Sequence, residues 1–270
     1  MSRLDAELVS RGLARSRTVA ATLIKAGRVT VAGTAAAKTA QTVSAETEIE
    51  LLPGTEEDYV SRAGHKLAGA LAHFPQVSVD GKRCLDAGAS TGGFTDVLLR
   101  RGASNVAAVD VGHGQLVDSL RHDPRVDVHE GLNIRYMHAA DIGGPVDLTV
   151  CDLSFISLTL VMAPLALATR EGGELLLMVK PQFEVGKDRL ARTGVVGSEN
   201  ERRRAVALVA RSAVANGLAL KGLGTSALPG QDGNVEYFLL ATRIVSDRAP
   251  KIEETELAVE SLLATLWPQE

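Results

Sequence analysis

Apolar positions change their rhythm along this chain, and each change marks a part. Near the start, Leu4, Leu8 and Val9 share one face of a helix that Gly12 ends. Ser16 is a fitting N-cap for a second helix, where Val19, Leu23 and Ile24 recur at helical spacing and Gly27 is the stop. Arg28-Val-Thr-Val-Ala-Gly33 reads as a short strand entering a turn, and Ile49–Leu52 as another before Pro53-Gly54. These elements predict a small αβ module over residues 1–56. The acidic stretch Pro53–Asp58 marks a boundary, with a linker over 57–62 and a second domain over 63–270.

Beyond the linker, strands alternate with helices. Strands are predicted at Arg83–Ala87, Val106–Val111, Val126–His129, Leu148–Leu153 and Glu174–Val179, with helices at Phe94–Arg101, Gln115–Arg121 and Leu158–Ala168. That alternation implies parallel βαβ units with right-handed crossovers. The end differs. A long helix from Glu199 to Asn216 stops at Gly217, and two strands, Ala219–Gly224 and Val235–Thr242, are joined by the turn-rich Pro229–Asn234. A short connection of that kind joins antiparallel neighbours. A last helix over Ile252–Leu266 packs outside the sheet.

Composition narrows the picture. With 3 % aromatic residues the core must be built from Leu, Val and Ala, which suits helices covering both faces of a parallel sheet. The net charge of −4 hides an asymmetry: Met1–Ala40 carries an excess of five positive charges, pointing to a polyanion partner for that region. Cys84 and Cys151 lie in apolar strand-like runs and read as buried thiols of a cytoplasmic protein. No secretory signal opens the chain, and the nearly apolar Leu158–Ala168 is too short to span a bilayer. His65, His73, His113, His122, His129 and His138 show no zinc-ligand spacing, so no metal is expected. A monomer that does not enter membranes is the expectation.

Cys84-Leu-Asp-Ala-Gly-Ala-Ser-Thr-Gly-Gly-Phe94 follows a predicted strand and opens a helix. Gly88, Gly92 and Gly93 let backbone approach a ligand where a Cβ would collide. The spacing does not give a dinucleotide-type G-x-G-x-x-G. Asp110 ends the next strand, where a doubly wound fold places a carboxylate against the ribose of an adenosine ligand; a helix N-cap is the plainer role. Asn133, after the third strand, stands where such folds contact adenine. The loop and the antiparallel finish resemble class I S-adenosylmethionine-dependent methyltransferases, a Rossmann-like seven-stranded α/β sheet with an antiparallel last strand. The resemblance implies S-adenosylmethionine as cofactor, contacted by Asp86, Gly88, Ala89, Ser90, Gly92, Gly93, Phe94, Asp110 and Asn133.

Lys66 lies on the helix entering this domain, Asp152 ends the fourth strand, Lys180 ends the fifth, and Glu236 begins the last. Strand carboxyl ends gather at the ligand-binding edge of an open sheet, and an antiparallel strand starts at that edge, so all four can converge. They match position by position the Lys-Asp-Lys-Glu tetrad of FtsJ-type ribose 2′-O-methyltransferases. The whole chain resembles the TlyA family, through Asp86–Phe94, Asp152–Ser157, Lys180–Gly186 and Gly233–Phe238. This implies methylation of a cytidine 2′-hydroxyl in 16S rRNA, 23S rRNA or both, within ribosomal subunits. Lys180 then serves as general base or, charged, stabilises the developing alkoxide; Asp152 orients it, and Glu236 positions Lys66 or the hydroxyl. Phe155 stacks on the target base or fills core. Two readings compete: a methyltransferase of another substrate, and the non-enzymatic cytolysin that the family's older haemolysin name suggests.

The N-terminal module resembles the S-four-like RNA-binding domain through Arg3-Leu-Asp, Gly12–Arg17, Ile24–Gly27 and Val29–Gly33. The resemblance implies that Arg15, Arg17 and Lys25 meet phosphates, with Arg3 and Arg11 nearby. Arg62, Arg135 and Lys187 extend the basic track toward the reaction site. Family members carry an aromatic-valine pair in the linker; here it is Tyr59-Val60, in Glu57-Asp-Tyr-Val60.

Overall fold

The structure is a computed structural model that describes residues 1–14, 16–52, 59–186, 189–244 and 251–268. It divides into two units, Met1–Asp58 and Tyr59–Glu270. In the first, the Ser16 side chain accepts a hydrogen bond from the Val19 N–H (3.2 Å), satisfying one of the donors a helix start leaves orphaned. The order is β1 (Ser2–Arg3), α1 (Leu4–Ser10), α2 (Arg17–Lys25), β2 (Val29–Val31), β3 (Thr34–Ala35), β4 (Thr42–Val43) and β5 (Ile49–Leu51). β2 pairs antiparallel with both β3 and β5, and β1 with β4. Leu4, Leu8, Ala20, Ile24, Val29 and Val43 form its core.

The second unit runs α3 (Arg62–His73), β6 (Arg83–Ala87), α4 (Gly93–Arg100), β7 (Asn105–Asp110), α5 (Asp118–Arg121), β8 (Val126–Glu130), β9 (Val146–Cys151), α6 (Met162–Ala168), β10 (Thr169–Val179), α7 (Pro181–Glu184), α8 (Glu199–Ala215), β11 (Leu218–Thr225), β12 (Tyr237–Arg243) and α9 (Ile252–Leu263). Seven strands make one sheet in the order β11-β12-β10-β9-β6-β7-β8. β12 lies between β10 and β11 and runs against both.

Both faces of the sheet are apolar, as parallel strands require. Leu85, Leu175, Leu177 and Val179 face one core with residues of α6, α8 and α9; Cys84, Leu176 and Met178 face another with residues of α3, α4 and α5. Cys84 and Cys151 are free buried thiols, and burial raises both, Cys84 to about 12. Among the described residues no helix is long and apolar enough to cross a membrane.

Three expectations need correction. Asp152 and Glu236, expected inside strands, each lie one residue outside: β9 ends at Cys151 and β12 begins at Tyr237, while β10 ends at Val179 as expected. The pairing of Val179 with Tyr237 closes the ladder there. The helix expected at Leu158–Ala168 divides into a 3-10 turn, Leu158–Leu160, and α6. The helix expected from Gln115 begins only at Asp118.

Candidate active site

Because Val179 faces Tyr237 across the ladder, the next residue on one strand and the preceding residue on the other emerge at the same edge. These are Lys180 and Glu236. Asp152 leaves the neighbouring β9, and its N–H donates to the Ala87 carbonyl at 3.1 Å. Lys66, one turn into α3, reaches the edge from outside the sheet. Two ion pairs result. The Lys66 Nζ lies 2.5 Å from Glu236 Oε2, and the Lys180 Nζ lies 2.6 Å from Asp152 Oδ1. Lys180 also donates to Ser154 Oγ at 2.9 Å, and Gln182 Nε2 donates to Glu236 Oε1 at 3.2 Å. Both lysines and Glu236 are buried. Buried charges persist only when paired and hydrogen-bonded, and each of these ammonium groups has its carboxylate.

Three cavities meet at this edge. One of about 760 Å³ is lined by Lys66, Phe155, Lys180, Gln182, Phe183 and Glu236. A second, of about 410 Å³, is lined by Asp110, Leu132, Asn133, Ile134, Leu153 and Val161. A third, of about 160 Å³, reaches Ala89, Gly93, Phe94, Asp152 and Lys180. Ser154 lines all three, and Gly88 and Ser90 line the last two. The combination of apolar walls and a few convergent polar groups is that of a small-molecule site.

The two smaller cavities fit a nucleoside bearing a charged tail. Gly88 has φ +92°, and a Cβ there would meet the Asp152 carbonyl oxygen at 2.7 Å. Asp110 is oriented in advance: Oδ2 accepts from the Ser90 N–H at 2.8 Å and Oδ1 from the Gly112 N–H at 2.7 Å. Each of its oxygens keeps a lone pair for a vicinal hydroxyl. Asp86 is fully buried, and burial pushes its carboxyl up to about 7 although Thr95 Oγ1 donates to Oδ2 at 2.7 Å. Its Oδ1 has no hydrogen-bond partner among the described residues.

Not every residue singled out in the sequence meets the cleft. Gly92 (φ +99°) points where a Cβ would strike Leu120 and Leu116, so it serves core packing, and it lines none of the three cavities. Phe94 stacks on Phe238 in the core, ring centroids 6.2 Å apart, while bordering the smallest cavity. Asn133 caps a short 3-10 turn by accepting from the Arg135 N–H at 3.0 Å. Phe155 is 92 % exposed, which excludes a core role; it has φ +64° and lies against Phe183. The exposed His65 ring meets Tyr59 edge-on. Tyr59 and Val60 fold with the larger unit: the Val60 N–H donates to Asp96 Oδ2 at 2.9 Å, and Arg100 covers the Tyr59 ring.

In the small unit, Arg3 and Arg17 both pair with Asp5 and remain exposed, and Lys25 is exposed. Arg11 is committed internally. It pairs with Glu7 and donates to the carbonyls of Ser44, Ala45 and Thr47, so it braces the fold instead of facing a polyanion. Arg62 and Arg135 are exposed on the larger unit, Arg62 donating to the Pro229 carbonyl. Arg15 and Lys187 lie outside the described residues. Ser154, Gln182 and Glu184 were not singled out individually; their signal lay in the motifs around Asp152 and Lys180.

A parallel sheet with one inserted antiparallel strand, a glycine loop under an adenosine-sized cavity and a paired-lysine edge define an S-adenosylmethionine-dependent methyltransferase. The FtsJ-like methyltransferase family model matches residues 59–243, and the S4 domain model matches residues 2–49. The 16S/23S rRNA (cytidine-2′-O)-methyltransferase TlyA of Mycobacterium tuberculosis is 51 % identical over 97 % of both chains. Hemolysin A of Brachyspira hyodysenteriae is 36 % identical, over 87 % of this chain and 97 % of its own. A hemolysin-type structure from Streptococcus thermophilus superposes with a TM-score of 0.70 at 36 % identity, covering 99 % of this chain and 98 % of that one. The chain belongs to the TlyA family.

Proposed function

We propose that the protein methylates the ribose 2′-hydroxyl of a cytidine in ribosomal RNA, acting in the cytoplasm on the small and large ribosomal subunits. The observation that carries this reading is the meeting of the Lys66–Glu236 and Lys180–Asp152 pairs where the largest cavity joins the two smaller ones. The Mycobacterium tuberculosis relative, named for cytidine 2′-O-methylation of 16S and 23S rRNA, supports the choice of substrate. So does the S4 domain, with Arg3, Arg17 and Lys25 on its surface.

S-adenosylmethionine, when bound, supplies an electrophilic methyl group on a sulfonium. Asp110 and Asn133 would hold its nucleoside, and the backbone at Gly88 and Ala89 would admit its amino-acid portion. Asp152 pairs with the Lys180 ammonium and Ser154 accepts one of its N–H groups, leaving donor capacity for the ribose oxygen. As an ammonium, Lys180 stabilises the oxygen as it gains negative charge; as a neutral amine, it accepts the hydroxyl proton. Glu236 fixes Lys66 on the other side of the same cavity. Placing the hydroxyl for in-line attack supplies much of the acceleration.

Purified small and large subunits, incubated with the protein and methyl donor, should gain 2′-O-methylcytidine at discrete positions by nucleotide-resolution mapping. The Lys180→Ala protein should add none. Methyl groups found only on bases, ribosomal proteins or small molecules would remove rRNA ribose as substrate.

A further inference from the structure

The single turn α7 follows Lys180 directly, and the two polar side chains on it reach opposite parts of the cleft. Gln182 donates to Glu236 Oε1, while Lys66 occupies the other oxygen of that carboxylate. Glu184 faces the loop that follows β9: Ser157 Oγ donates to its Oε2 at 2.5 Å, and the Leu158 N–H donates to its Oε1 at 2.8 Å. That loop carries Asp152 and Ser154, the two groups that hold Lys180. Glu184 is 9 % exposed, it pairs with no cation among the described residues, and burial raises its carboxyl above the usual range. A carboxylate desolvated to accept a hydroxyl and a backbone N–H is an expensive way to hold a loop, and an apolar contact would hold it without the desolvation penalty. What the carboxylate adds is direction: two short, directional bonds set the loop to within tenths of an ångström.

We propose that Gln182 and Glu184 are positioning residues for methyl transfer. Through them α7 aligns the two ion pairs: Gln182 sets Lys66 by orienting Glu236, and Glu184 sets Lys180 by fixing the loop of Asp152 and Ser154. This rests on the reaction proposed above. Neither residue touches the reacting atoms; each acts through a carboxylate that another residue contributes.

The test compares Gln182→Met, Glu184→Ala and Glu184→Gln in the full chain, with two readouts. In the first, a small acylating reagent labels lysines and peptide mass spectrometry follows Lys66 and Lys180. Gln182→Met should speed labelling of Lys66 about tenfold and leave Lys180 unchanged, since one hydrogen bond to a charged acceptor is lost. Glu184→Ala should do the reverse. Glu184→Gln, whose amide can accept from Leu158 N–H and donate to Ser157, should label like the parent. In the second, methyl transfer to ribosomal subunits at saturating substrates should fall on the order of tenfold or more in Gln182→Met and Glu184→Ala, with KM for RNA and cofactor affinity little changed. Glu184→Gln should recover most of that loss. The labelling arm needs no RNA, so it reports on alignment even where the substrate assignment fails. Equal acceleration at both lysines in either variant would reveal general loosening and overturn the proposal, as would no change at either.

Discussion

Carboxylates hold cations in both units, with opposite consequences for what those cations can reach. In the cleft, the side chains of both ion pairs are between 2 and 14 % exposed, so each lysine is confined to one place beside a cavity. In the small unit, Asp5 is itself nearly buried, yet its partners Arg3 and Arg17 keep 51 and 59 % of their side-chain surface. The Arg3 hydrogen bond, assisted by Arg17, holds the Asp5 carboxyl well below the usual carboxylate range. The same ionic contact thus confines an ammonium beside a cavity in one unit and displays guanidinium groups in the other. The choice of cation follows. A lysine offers a compact ammonium whose donors can be divided among chosen partners, whereas an arginine can spend one edge of its fork on Asp5 and keep another for a phosphate.

That contrast can be broken at three points. The largest effect is expected from Lys180→Ala, which removes the group proposed to face the hydroxyl: the methyl-transfer rate should drop by on the order of 10²–10⁴-fold. Cofactor affinity, read by calorimetry, should stay close to the parent's. Retained activity would show that the buried pair is only structural.

Next comes Glu236→Ala, which leaves the Lys66 ammonium buried without its carboxylate. Urea unfolding should register a loss of about 3–5 kcal/mol. Lys66→Met combined with Glu236→Leu should restore the stability and leave the enzyme inactive, separating the structural use of the pair from its chemical one. The smallest effect belongs to the displayed cations. Replacing Arg3 and Arg17 with alanine should reduce the slope of log affinity against log salt for rRNA by about 2, without altering cofactor binding. An unchanged slope would take both residues off the RNA.

Much of this was legible from periodicity. Arg83–Ala87 was read to the residue, because apolar side chains face both cores and Asp86 and the glycine loop punctuate its end. β1 and β4 escaped, since two-residue strands carry no period. The start of β10 was placed at Glu174 and not Thr169, because Arg170-Glu-Gly-Gly173 looks like a loop and the register does shift there. The four charged residues of the cleft stood out by their position at strand ends. Gln182 and Glu184 did not: a polar residue in a four-residue turn has no pattern around it, and its partners lie 26 to 54 residues away. Arg11 was legible as a cation but not as a brace, since the carbonyls it binds are 33 to 36 positions downstream.

Lys66 and Glu236 are separated by 170 positions, and the strand that delivers the glutamate slots between two others only after both have been made. During synthesis the cofactor loop, Asp152 and Lys180 therefore all emerge before the fourth charged group exists to join them. A nascent chain can shape its donor pocket early yet has no anchored Lys66 until its last strand is free of the exit tunnel. Long-range pairing of this kind makes completion of the site a late event in folding.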